Sequence, residues 1–168
     1  MSKVFEDYFS ELQADMVSIA VEYVENQAEQ VFVYCSFRAR VIYGDVFYKI
    51  NGKVCRKHKV NEALRPGQTP VDADPDRQGA MLRIINKDIE ALRKLCAEYK
   101  REMPAVIKII YNAETNRLNA SYKYGWQPDE DEDELFRAWF AEEQAKAGNE
   151  RVRGARLQKR KESSSGET

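Results

Sequence analysis

The chain has 168 residues, 43% of them hydrophobic and 11% aromatic, enough for one domain with a packed core and no covalent staples. Its charged residues, 33% of the total, nearly cancel to a formal net charge of -1, so bulk charge selects neither a polyanion nor a membrane surface, and only local segregation of charge can steer a partner. Three cysteines, Cys35, Cys55 and Cys96, are an odd number without CxxC spacing, which argues against a disulfide framework and gives no zinc pattern. The N-terminal residues include Glu6 and Asp7 and no apolar leader core, and no later run approaches about 18 apolar residues, so the expected location is the cytoplasm with no membrane partner.

From Ser2 to Gln27, apolar side chains at Phe5, Tyr8, Phe9, Leu12, Met16, Ile19, Ala20 and Tyr23 recur at helical spacing and predict a long first helix. Val31–Phe37 is β-branched and aromatic without a helical period, and reads as a strand. A second strand runs from Arg40 to Ile50, with Gly44-Asp45 as a bulge or tight turn inside it. Asn51-Gly52 favours a type I′ hairpin into a third strand, Lys53–Val60. Asn61–Gly79, with Pro66, Pro70 and Pro75, is the longest predicted loop. Met81, Leu82, Ile85, Ile89, Leu92, Cys96 and Tyr99 then mark a second helix that ends near Pro104. Val106–Tyr111 and Leu118–Tyr124 form a hairpin, and Leu135, Phe136, Trp139 and Phe140 mark a third helix from Asp131 or Asp133 to about Ala147.

The expected fold is therefore α+β, an antiparallel sheet of about five strands in the order α-β-β-β-α-β-β-α, with the helices packed on one face. Residues 1–147 form the single domain. Residues 148–168, with Arg151, Arg153, Arg156, Lys159, Arg160 and Lys161 and few apolar side chains, are expected to be a disordered basic tail.

No catalytic constellation accompanies these elements. The single histidine, His58, sits among Lys53, Arg56, Lys57 and Lys59 with no nucleophile at a recognisable spacing, and neither phosphate-binding glycine motif occurs. Catalytic residues, metal ligands and cofactors are accordingly expected to be none. The informative segment is instead Asp129, Glu130, Asp131, Glu132, Asp133 and Glu134, six consecutive carboxylates beside Tyr124 and Trp126. Calcium-loop spacing is missing there. Acidic residues opening a helix are favoured by its dipole, which accounts for two or three of the six. All six beside exposed aromatics read as an anchor with a steering rim, aimed at a basic partner. Against Lys3 alone, the first helix adds Glu6, Asp7, Glu11, Asp15, Glu22, Glu25 and Glu29, which by themselves read as a solvated face. The alternative is a small nucleic-acid-binding module built on Arg38, Arg40, Lys49, Lys53, Arg56, Lys57 and Lys59, interleaved with Tyr43, Phe47 and Tyr48 and extended by the tail.

In order, Val31–Phe37, the aromatic strand Val46–Ile50, the second helix, and Tyr122–Trp126 followed by the acidic run and Glu134–Trp139 resemble the YezG-like immunity protein family of polymorphic toxin systems, over residues 5–143. The resemblance implies a cytoplasmic antitoxin that binds and neutralises a cognate toxin domain, often a nuclease, with no catalysis and no cofactor. It carries over no contact residues. The assignment of Tyr124, Trp126 and Asp129–Glu134 to toxin binding comes from charge alone.

Overall fold

The computed structural model describes residues 3–164, with side chains through residue 162. Its elements are α1 (Phe5–Tyr23), β1 (Gln30–Arg38), β2 (Val41–Ile50), β3 (Lys53–Arg56), a 3₁₀ segment (Lys57–Ala63), α2 (Pro75–Glu98), β4 (Val106–Asn112), β5 (Arg117–Lys123) and α3 (Glu132–Ser164). One antiparallel sheet holds the strands in the order β3-β2-β1-β4-β5. The α+β class and the order of elements are as the sequence predicts. Ser2 of the predicted first helix and residues 165–168 of the predicted tail lie outside the described residues.

The helices do not share one face. Along β1, side chains alternate between two cores: Val31, Val33 and Cys35 enter a largely aliphatic core with Met16, Ala20, Ile85, Ile89 and Leu92 of α1 and α2, while Phe32 and Tyr34 enter an aromatic one with Phe136 and Trp139 of α3. With Phe47 of β2 also on the second side, that face is too apolar to stay wet, and α3 covers it. A central strand buried on both sides has no polar alternation, which is why Val31–Phe37 reads as one continuous apolar run.

Gly44 is not a bulge. The β1–β2 register passes unbroken through Cys35↔Gly44 and Tyr34↔Asp45. α2 crosses here, and a Cβ on Gly44 would lie 2.8 Å from Asn86 Oδ1 and 3.0 Å from Ile85 Cγ2, so the glycine admits the helix to the sheet. The predicted Asn51-Gly52 turn is present, with φ of 51° and 79°.

Several boundaries shift, α1 among them, which ends at Tyr23 rather than Gln27. β3 stops at Arg56 because Lys57 turns into the 3₁₀ segment, where its carbonyl accepts from the Tyr23 hydroxyl at 2.9 Å. α2 begins at Pro75, inside the predicted loop, because the Asp74 carboxylate accepts from Asp76 N–H at 2.8 Å and proline suits the first helical position. The same helix ends at Glu98, short of Pro104, where Lys100 takes φ 53° and Arg101 N–H reaches back to the Cys96 carbonyl at 2.8 Å.

The segment from Gly148, expected to lack order, continues α3 as helix to Ser164. Side chains 149–162 are exposed, so burial does not hold it. An established helix supplies the nucleus, and the Glu, Gln, Lys and Arg that follow propagate it in spite of Gly148 and Gly154, each costing about 1 kcal/mol. Glu150 of this stretch pairs with Lys49 of β2 at 2.7 Å. Among the described residues no helix is long and apolar enough to cross a membrane.

Candidate binding surface

The predicted acidic segment follows β5 at one end of the sheet, and the structure divides it. Tyr124 is 54% exposed. Trp126 is half-buried: its indole Nε1 donates to the Phe37 carbonyl at 3.0 Å, and Arg38 and Lys123 lie over its ring at 5.0 and 5.7 Å. It ties β5 to β1.

Glu130 pairs with Lys123, and its carbonyl accepts from Arg38. Asp131 caps α3, its Oδ1 accepting from the N–H groups of Asp133 and Glu134 at 3.0 and 3.1 Å. Asp133 pairs with Arg137 at 2.8 Å, one turn on, and accepts from the Tyr43 hydroxyl at 3.4 Å. Among the described residues Asp129, Glu132 and Glu134 form no ion pair. Half of the run is thus committed to starting and anchoring α3.

The basic cluster is committed further. Arg38 serves Trp126 and Glu130; Lys49 pairs with Glu150; Lys57 pairs with the buried Asp45 at 2.9 Å; and Arg56 lies 4.9 and 4.8 Å over the rings of Phe136 and Phe140. Cations laid on aromatic faces seal the second core against water. Lys53, His58 and Lys59 remain around an open cleft of about 470 Å³ beneath Phe140 and Gln144. Tyr43, Phe47 and Tyr48 do not form a stacking platform, since Phe47 and Tyr48 are fully buried and point into opposite cores.

One surface has no sequence counterpart as a unit. Phe5, Glu6, Phe9, Ser10 and Gln13 of α1, Arg101 and Pro104 after α2, and Tyr122 and Tyr124 of the β5 end enclose an open cleft of about 480 Å³. The buried Gln13 amide donates to the Tyr122 hydroxyl at 2.9 Å, and Phe9 meets the Tyr122 ring edge-on. Helical periodicity marks Phe5 and Phe9 as inward-facing, but only the tertiary fold brings them to Tyr122.

The cysteines are poor nucleophiles. Burial pushes the Cys35 and Cys55 thiols up to about 12. His58 is exposed on the 3₁₀ segment. Among the described residues no group of three or more His, Cys, Asp or Glu is placed to hold a metal ion.

Against this geometry, the chain matches no protein-family model and no curated protein sequence.

Proposed function

We propose that the chain is an immunity protein that binds and neutralises a cognate toxin domain, a nuclease in the simplest case, by covering its basic surface in the cytoplasm. The resemblance to the YezG-like family motivates the biological role. The observation that carries the binding mode is the corner where β5 ends: the exposed Tyr124 stands between the cleft with Phe5, Phe9 and Glu6 on one side and the segment bearing Asp129, Glu132 and Glu134 on the other. An aromatic anchor with uncompensated carboxylates beside it suits a basic protein face, giving affinity from the ring and a fast, salt-sensitive approach from the charges.

The nucleic-acid alternative loses support in its strand half, because Arg38, Lys49, Arg56 and Lys57 are engaged within the chain. What remains of it is Arg40, Lys53 and Lys59, exposed on the strand side, and the exposed basic stretch of α3, which carries Arg151, Arg153, Arg156 and Lys159.

The test is co-expression with the C-terminal domain of a large toxin-like reading frame beside this gene, scored by growth and by co-purification. Rescue by the wild-type chain, lost or weakened when Tyr124→Ser is combined with Asp129→Asn, Glu132→Gln and Glu134→Gln, is the expected result. No rescue and no complex would sink the immunity reading. Nucleic-acid retention that disappears when residues 152–168 are deleted would favour the alternative.

A further inference from the structure

The two edges of the sheet are finished differently. β3 has four residues, runs directly into the 3₁₀ segment and packs against α3. β5 has seven residues, pairs with β4 on one side and has no strand on the other. Natural proteins blunt such an edge with proline, a bulge, a covering element or an outward lysine. Among the described residues β5 has no proline, no bulge and no strand over its outer edge. Its register with β4 is unbroken from Arg117 to Lys123, and its lysine is drawn back onto Glu130 and the Trp126 ring.

The side of β5 facing α1 carries Leu118 and Tyr122, and Tyr124 continues that row just beyond the strand; they are 36%, 43% and 54% exposed. Leu118 stands at a cleft of about 390 Å³ with Ala14, Val17, Ser18 and Val21 of α1. Tyr122 and Tyr124 line the larger cleft at the other end. Along a strand, residues four apart are about 13 Å apart on one face, so the two clefts match the pitch of an added strand.

α1, which contributes Ser18 to the smaller cleft and Glu6 to the larger, is an acidic helix whose Glu11 pairs with Lys3. α1 holds Glu6, Asp7, Glu11, Asp15 and Glu22 and no lysine or arginine, and Asp7, Glu11 and Glu22 fall at helical spacing on one face with the exposed Ser18.

We propose that β5 is a docking edge that takes an extended basic segment of a partner protein as a sixth strand, with apolar side chains at i and i+4 in the two clefts and lysine or arginine beneath α1. Main-chain hydrogen bonds to the open edge supply affinity, and the clefts and carboxylates supply selectivity. A second copy of this chain suits the edge poorly. Two-fold antiparallel pairing about Ala120 sets Arg117 opposite the other copy's Lys123 and brings one acidic α1 against another. The inference rests on the reading of the chain as an inhibitor of a basic protein, and it names the surface that does the binding.

The test uses the full chain and a synthetic nine-residue peptide alternating lysine with valine or tyrosine, beside a control of the same composition in scrambled order. The alternating peptide is expected to slow amide exchange in β5 and to shift the Leu118 and Tyr122 resonances. Leu118→Lys, at an exposed position, and Glu11→Lys should each weaken it by about tenfold, as expected for a blocked edge and a reversed steering charge. Equal binding of the scrambled peptide, or β5 amides unchanged at saturation, overturns the proposal. So does a wild-type dimer dissolved by Leu118→Lys, which would assign the edge to a second copy. In the co-expression assay, toxin rescue undiminished by Leu118→Lys overturns the docking edge and leaves the immunity reading standing. Edge binding of the peptide without toxin rescue does the reverse.

Discussion

The acidic run at 129–134 concentrates six carboxylates in six residues, α1 spreads five over 19, and their surroundings differ as well. The run lies where α3 meets the sheet, among Arg38, Lys123, Arg137 and Tyr43, and three of its six side chains are tied to those neighbours or to the start of the helix. α1 has no internal counter-charge, and among the described residues its ion pairs are Lys3 with Glu11 at 2.7 Å and Arg101 with Glu6 at 3.3 Å. Density of charge in a sequence is therefore a weaker sign of a free surface than its distance from opposite charge in the fold. The segment that looks most like a binding site is partly scaffold, and the helix that looks merely solvated borders the open edge.

The sharpest way to break this contrast is to cut the anchor of the run. Phe136 is fully buried against Tyr34, Tyr43 and Phe47. Phe136→Ala should lower unfolding stability by about 3–5 kcal/mol, measured by urea denaturation. If the run is scaffold, exchange protection should fall first in α3, while α1 and α2 keep theirs.

A second variant sharpens the α1 side. Asp88 of α2 is buried, and its Oδ2 has no donor within hydrogen-bonding reach. Burial pushes this carboxyl from 3.8 up to about 7, and Asp15 across the helix pair reinforces the shift, opposed by Lys87. A proton on Asp88 gives it a bond to offer Asp15. The folded chain then binds more protons than the unfolded chain between about pH 4 and pH 7, so stability falls as pH rises through that window and is lowest above it. Asp88→Asn should flatten the slope and raise stability at pH 8 by about 1–3 kcal/mol, by relieving an unsatisfied buried carboxylate. An unchanged slope would place the titration elsewhere.

How far the sequence shows this architecture depends on the range of the interactions involved. Helical spacing, Asn51-Gly52 and the aromatic runs are local signals, and they place eight elements in the right order. Which face α3 covers is a non-local matter, decided by Phe32, Tyr34 and Phe47 together. The same holds for Gly44, whose reason is α2 lying against it, and for Arg56, whose charge is used on two rings of another element. The cleft at Tyr122 joins residues 109 positions apart through the Gln13 bond, beyond any local pattern. The β1–β2 turn was hidden for another reason. Ala39 and Arg40 both take positive φ, 48° and 66°, without the glycine or asparagine that normally announces such a turn.

That turn stands at the same end of the sheet as the acidic run and gives the next effect. Arg40→Gly should stabilise the fold by about 1 kcal/mol, because a β-carbon is costly in the left-handed region. Asp131→Ala should destabilise it by a similar amount, about 1 kcal/mol, through loss of the α3 cap. Thermal unfolding of the two single variants reads both signs, and a neutral Asp131→Ala would return that carboxylate to the free set.

The smallest effect on stability is the most discriminating for function. Glu11→Gln in α1 and Glu134→Gln in the run remove exposed charges, so each should change stability by less than about 0.5 kcal/mol. Their effects on association with a basic partner should differ. Glu11 belongs to α1, the helix that lines both edge clefts, whereas Glu134 is on the first turn of α3. If the edge is the principal contact, Glu11→Gln slows association and reduces its salt dependence more than Glu134→Gln does, in stopped-flow measurements at low and physiological salt. If the order is reversed, the basic partner meets the remaining carboxylates of the run first, and the contrast between the two acidic segments belongs to folding alone.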